Sequence, residues 1–274
     1  MKTNLKNAVR DKYASIAAKR ANKSSDDEIA LAHAFGYSDG QLDSIPEEAN
    51  LGVSCGNPTA MASLRPGEVV VDLGSGGGLD VFLAAQKVGS TGKSIGIDMT
   101  PEMVALANKN LSVSTFDNVE FHLADIEAMP LESASVDCVI SNCVLNLVPD
   151  KQKAFVEIFR VLKPGGRLAV SDIALRKILP PEWETSVSAF TGCIAGAILM
   201  STYRELLEGA GFSSVEIIDS KSDLNVYRDL CAPDEKRHSA ASSGSCCGDS
   251  YAVRQDADFD VNEYAVSVRV LAIK

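Results

Sequence analysis

Two sets of residues in this chain have the types and spacing that chemistry needs. The first is a glycine turn ringed by acids. Asp72-x-Gly74-x-Gly76-x-Gly78 follows the apolar run 69–71, and Asp98 and Asp125 each close a later apolar run. Bare backbone at such a turn lets a ligand approach the chain closely. The spacing departs from the dinucleotide fingerprint G-x-G-x-x-G: Gly74 and Gly76 match, but Leu79 stands where the third glycine belongs. With no pyrophosphate to cradle, an uncharged adenosine with a short tail is the better match. Gly74, Ser75 and Gly76 would face it. Asp98 could accept both ribose hydroxyls and Asp125 the adenine amino group, while Met99 and Ile126 could sandwich the ring. Asn142, closing another apolar run, joins this set.

The second set is thiols. Seven cysteines stand at 55, 138, 143, 193, 231, 246 and 247. Thiolates are soft donors and select soft partners. Each feature also has a plainer reading. A glycine-rich turn is often only a tight turn, Asp72 can cap a helix, Asp98 can be an exposed acid, and a free cysteine is often a small buried hydrophobe. Cys138, in apolar company, reads as core. Cys231 is left unassigned, and His33, His122 and His238 are isolated, without metal-ligand spacing. Tyr13 reads as a packing residue as readily as a site residue, and Trp183 reads as a packing residue rather than a site residue.

Elements must bring these residues together. Val9, Tyr13, Ile16 and Ala17 predict a helix over 5–20, followed by a polar, turn-rich stretch to about Pro66. Strands are predicted at 68–73, 94–98, 119–125, 137–143 and 167–172. Between them lie helices at 79–88, from Thr100-Pro101 onward, and at 153–163, the last stopped by Pro164-Gly165-Gly166. Such alternation predicts parallel strands with right-handed crossovers, an α/β Rossmann-like doubly wound sheet. Ligand crevices in such sheets lie at the carboxyl ends of strands. Cys143 should sit at one of them, at the end of the fourth strand. Beyond Asp172 the pattern predicts a packed helix pair over 183–200, a helix at 203–211 and strands at 215–219 and 263–274. Residues 232–258, rich in Ser and Gly, read as a mobile surface loop. The chain thus divides into a covering segment (1–67), a cofactor-binding core (68–173), and substrate-binding helices plus sheet-completing strands (174–274).

Composition limits the partners. A net charge of −11 argues against nucleic acid, and no apolar run has membrane-spanning length. The N-terminal stretch has no apolar core of a secretory signal. Irregularly spaced, odd-numbered cysteines then read as reduced thiols in the cytoplasm. A monomer is expected.

The glycine turn resembles the first motif of class I methyltransferases, which use S-adenosylmethionine. IPEEANLGVSCGNPTA (45–60), VVVDLGSGGGLDVFLAA (69–85), ISNCVLNLVPDK (140–151), LKPGGRLAVSDI (162–173) and FTGCIAGA (190–197) resemble the arsenite methyltransferases. The likeness runs from about Tyr13 to Gly211. It implies a seven-stranded sheet with the last strand antiparallel and a methyl acceptor of trivalent arsenic, either arsenite, its thiol conjugates or methylated arsenicals. Three cysteines would hold the arsenic, at positions matching Cys55, Cys143 and Cys193, and the role would be arsenic detoxification. The chemistry agrees: three thiolates leave the arsenic lone pair free to attack a sulfonium methyl, and no base is needed because no proton leaves the nucleophile. Some family members carry a further cysteine upstream that pairs with the Cys55 position. This chain has none there, so an internal disulfide relay is in doubt. Cys246 and Cys247 are candidates to substitute, but adjacent cysteines rarely pair with each other; they read equally as a surface pair that binds soft metal or does nothing, and glutathione or another small thiol could serve as reductant instead. Two alternatives stay open: methylation of a quinone, sterol or thiol, and a non-catalytic soft-metal sequestering protein.

Overall fold

The computed structural model describes residues 2–19, 26–179, 194, 196–225 and 260–274. Apolar, β-branched runs bounded by turns form strands β1 (Val69–Leu73), β2 (Lys93–Asp98), β3 (Val119–Leu123), β4 (Val136–Asn142), β5 (Leu162–Leu175), β6 (Ser213–Asp219) and β7 (Ala265–Ile273). They make one sheet in the order β3-β2-β1-β4-β5-β7-β6. The first five pair in parallel, while β7 runs antiparallel to β5 and β6. This is the expected α/β, seven-stranded, doubly wound architecture. Strand order reverses between β1 and β4, and a crevice opens at the carboxyl ends of such neighbours.

The helices are α1 (Lys2–Lys19), α2 (Asp26–Ala34), α3 (Asp39–Leu42), α4 (Pro58–Met61), α5 (Leu79–Val88), α6 (Pro101–Ser112), α7 (Lys151–Val161) and α8 (Met200–Ala210). Helices α7 and α8 cover one sheet face, where the rings of Phe155 and Tyr203 pack with centroids 5.4 Å apart. On the other face α5 sets Ala84 and Val88 against Val70 and Ile140. Burying rings of this size matters: truncating a core phenylalanine to alanine typically costs about 3–5 kcal/mol. No helix among the described residues is long and apolar enough to cross a membrane.

The structure departs from the sequence reading in three places. The turn-rich stretch before Pro66 contains α2, α3 and α4. Ser38 and Gln41 cap α3 reciprocally, and Asn57 caps α4 ahead of Pro58, so short-range capping builds helices too brief to show a period. Strand β3 ends at Leu123, and Asp125 lies beyond it in a bridge with Ala128. Strand β5 starts at Leu162, ahead of Pro-Gly-Gly. The Gly165 amide donates to the Lys274 carbonyl and the Lys274 amide to the Gly166 carbonyl, both at 2.9 Å, which draws the turn into the sheet. The predicted loop at 232–258 and most of the helix pair at 183–200 lie outside the described residues.

One polar group lies deep in this core. Asp172 of β5 is fully buried. One of its oxygens accepts from the Ile173 amide at 2.9 Å. Its other oxygen, the Tyr203 hydroxyl, Asn146 Oδ1 and Ser141 Oγ have no hydrogen-bond partner among the described residues. Burial pushes the Asp172 carboxyl up to about 7, whereas an unfolded aspartate titrates near about 3.9. Between those values the native state binds more protons than the unfolded state. Stability from this group is therefore full below about pH 4, falls as pH rises, and levels off above about 7. The span is on the order of 4 kcal/mol. Asp172→Asn keeps the shape and removes the titration. Urea midpoints at pH 5 and pH 8 should differ much less in the variant than in the parent, with the variant gaining most at pH 8; equal pH dependence would show that Asp172 is ionised in the fold.

Candidate active site

The crevice is built first by the turn after β1. Gly74 and Gly76 have φ of +66° and +50°, which non-glycine residues adopt at a cost. A Cβ on Gly74 would come within 2.4 Å of the Val144 side chain. The Gly74 and Ser75 amides both donate to the Ile97 carbonyl, at 2.7 and 3.0 Å, which anchors the turn on the end of β2. The next residue along the turn, Gly76, donates its amide to Asp98 Oδ2 at 3.0 Å, and the Thr100 amide donates to Oδ1 at 2.9 Å. Burial raises the Asp98 carboxyl above its ordinary range, and these amides oppose the rise. The Thr100 hydroxyl and the Met99 amide add further hydrogen bonds to it.

Gly74, Gly76, Asp98, Met99 and Ile126 line a cleft of about 780 Å³, counting its open mouth. A nucleoside with an amino-acid tail fits this site: bare glycine backbone below, and a strand-end carboxylate at the cleft wall. Lys6 and Tyr13 of α1 line the same cleft. Lys6 forms an ion pair with Asp125, whose other oxygen accepts from the Glu127 amide at 3.0 Å. Asp72, in β1, and Ser75, within the turn, are buried and do not line the cleft. Burial drives the Asp72 carboxyl well up, and the neighbouring Asp80 and Asp98 push it further.

The thiols lie beside this cleft. Cys143 lines it, directly after β4, with φ of +58°. Its amide donates to the Ser171 carbonyl at 2.9 Å. Cys55 and Cys143, 88 residues apart, are joined as a disulfide with Cα atoms 5.7 Å apart. The expectation of reduced thiols therefore fails for this pair. Cys193, Trp183, Cys231, Cys246 and Cys247 lie outside the described residues. Ile194 packs in the same apolar cluster as Cys55 and Cys143. Cys138 is buried inside β4, and burial pushes its thiol up to about 12, which keeps it protonated as a core residue. No group of three or more metal-ligating side chains occurs among the described residues.

Asn142 lines the cleft too, but its amide is engaged elsewhere. Oδ1 accepts from the Cys55 amide at 2.9 Å. Nδ2 faces the Gly56 carbonyl at 2.8 Å, the Tyr37 hydroxyl at 2.9 Å and Asp80 Oδ2 at 3.2 Å. Sequence reasoning missed Tyr37 and Asp80. Asp80 carried one signal, an acid in the first turn of an otherwise apolar helix; Tyr37, in a stretch read as turns, carried none.

Comparison with known proteins bears on this geometry. Residues 64–211 match a family model described as a methyltransferase domain. An arsenite methyltransferase from Halobacterium salinarum is 39% identical over 251 residues, covering 92% of this chain and 58% of that protein. The human arsenite methyltransferase is 37% identical over 158 residues, 54% of this chain and 42% of that protein. The chain spans about half the length of the curated relatives it matches. A solved arsenic(III) S-adenosylmethionine methyltransferase from Chlamydomonas reinhardtii superposes with a TM-score of 0.58 at 26% identity, over 89% of this chain and 73% of that one. The family match covers the glycine turn, Asp98, Asn142 and Cys143 together, and the chain belongs to the methyltransferase domain family.

Proposed function

We propose that this chain transfers the methyl group of S-adenosylmethionine to trivalent arsenic held by cysteine thiolates, in the service of arsenic detoxification. One observation carries the reading: two cysteines 88 residues apart meet beside the glycine-turn cleft. The similarity to arsenite methyltransferases supports it. S-adenosylmethionine supplies an electrophilic methyl on a sulfonium. Reduced, Cys55 and Cys143 offer two soft donors to arsenite, its thiol conjugates or methylated arsenicals. Cys193 is the third donor in this proposal, a role supported by the packing of Ile194 with the pair. Three thiolates leave the arsenic lone pair free, so positioning and not proton transfer is the protein's task. Asp98 is read as the ribose acceptor, and Met99 and Ile126 as the adenine walls. Asp125 reaches an adenine only by sharing its carboxylate with Lys6.

Methylation raises arsenic from the trivalent to the pentavalent state. Returning it takes two electrons, and so does opening the Cys55–Cys143 bond. Glutathione or another small thiol of a reducing cytoplasm would supply both. The substrate is a small molecule, and the chain is read as acting as a monomer.

Incubation with arsenite, glutathione and methyl-labelled cofactor should yield labelled methylarsenicals. Cys143→Ser should reduce transfer by at least a hundredfold; undiminished transfer would remove the proposed mechanism, and binding without transfer would favour sequestration. Asp98→Ala loses two charge-assisted hydrogen bonds, each worth about 1.5–3 kcal/mol, so calorimetric affinity for S-adenosylhomocysteine should fall at least tenfold. A Cys246→Ser, Cys247→Ser double variant should keep every methylation rate, which product analysis by round of methylation would check.

A further inference from the structure

Cys55 lies in no strand, and nothing in the sheet ladder fixes it against Cys143. What fixes it is a side-chain amide. Asn142, the residue before Cys143, grips the main chain of the Cys55–Gly56 segment at two points. Its Oδ1 takes the Cys55 N–H at 2.9 Å and its Nδ2 donates to the Gly56 carbonyl at 2.8 Å. The Cys55 carbonyl accepts from Ser267 Oγ at 3.2 Å. A Cβ on Gly56 would meet Ser171 at 2.7 Å, so the segment is pressed on β5 as well.

An amide can turn over, exchanging its oxygen and nitrogen, and only one of the two orientations accepts from Cys55. The Gly56 carbonyl favours that orientation on the near side, and the far side of Asn142 reinforces it. The Tyr37 hydroxyl donates to Asp80, at 2.9 and 3.0 Å from its two oxygens. With its proton so committed, that hydroxyl presents a lone pair to Asn142. Asp80 Oδ2 presents another at 3.2 Å. Turned over, the Asn142 oxygen would face these acceptors and its NH2 would face the Cys55 N–H. Burial and the nearby Asp80 push the Tyr37 hydroxyl well above its ordinary range, so it stays a donor. Burial lifts the Asp80 carboxyl to about 6, against hydrogen bonds from Asn142 and Tyr37, which leaves it an ionised acceptor at neutral pH.

We propose that Tyr37 and Asp80 are positioning residues that lock the Asn142 amide in the orientation that holds Cys55 against Cys143, at the separation a shared soft atom requires. The importance of that pair rests on the arsenic reading above; the positioning itself is measurable without arsenic. Two thiols and one glutathione disulfide exchange to give the Cys55–Cys143 bond and two glutathiones. The equilibrium constant reports how well the fold holds the two sulfurs together.

The experiment equilibrates the full chain with glutathione redox mixtures, traps free thiols by alkylation and quantifies the bonded Cys55–Cys143 peptides by mass mapping. Tyr37→Phe removes both the donor to Asp80 and the acceptor for Asn142. It should lower the closing constant about tenfold, which raises the potential by about 30 mV. Asp80→Asn, which can offer Asn142 an NH2 in place of an acceptor, should shift it in the same direction. Glu157→Gln, which weakens the remote pair with Arg160, controls for general loss of stability and should leave the potential where it was. Affinity for S-adenosylhomocysteine should stay within twofold in Tyr37→Phe. Parental potentials in both Tyr37→Phe and Asp80→Asn would overturn the inference, as would an equal shift in Glu157→Gln. If Tyr37→Phe fails to fold, Asp80→Asn decides. Failure of the parent chain to methylate arsenic would sink the functional reading and leave this measurement standing.

Discussion

The chemistry of this molecule depends on a hydrogen-bonded contact between one side-chain amide and a stretch of main chain far away in sequence. Closing a loop of 88 residues carries an entropic penalty. The closure is shared by the whole segment before β1. Ala32, Tyr37, Ile45 and Ala49 pack on Leu79, Phe82 and Leu83 of α5. That helix begins at the glycine turn and carries Asp80 in its first turn. One helix therefore presents an apolar face to the covering segment, the acid that polarises Asn142, and the turn that floors the cleft. The thiol pair and the cleft are fixed to each other through α5.

Electrostatics point the same way. Asp72, Asp80 and Asp98 are all buried near the carboxyl ends of β1 and β2. Burial raises the carboxyl of each, and for Asp72 the other two add repulsion. Clustered buried carboxylates are costly without cations or donors. Amide donors satisfy Asp98, while Tyr37 and Asn142 satisfy Asp80. Asp80, ionised at neutral pH, leaves negative charge close to the turn. The departure from the dinucleotide pattern in the glycine spacing is consistent with that charge.

Much of this was legible in the sequence because it is local. Strands β1, β2, β4 and β7 announce themselves by apolar runs, and the glycine turn and Asp98 sit at fixed offsets from two of them. Helices α3 and α4 were not legible, since four residues show no period and only their caps, Ser38 and Asn57, mark them. The start of β5 was misplaced because Pro-Gly-Gly reads as a stop, and the pairing with Lys274 that overrides it is more than a hundred residues away. The cysteines were marked by family resemblance and not by pattern. Their meeting depends on Tyr37 and Asp80, whose roles appear only when three segments converge.

The conformation of Cys143 ties these threads together. In a strand, successive side chains point to opposite faces. Asn142 reaches Cys55 with its amide, so a Cys143 in continued extended chain would point away, toward α7. The left-handed φ of +58° breaks that alternation, at a cost of about 1–3 kcal/mol, and both side chains then reach Cys55. The Cys143 amide keeps its bond to Ser171, so the strand ladder is not lost. The same turn sends Val144 into the space beside Gly74, where a Cβ would lie 2.4 Å from a Val144 methyl. Gly74 is therefore required twice over, for its own positive φ and because the turn that aims the thiol fills the place a side chain would take. The strained cysteine and the bare glycine are two sides of one packing contact, and through it the thiol site and the cofactor cleft are built as a single piece.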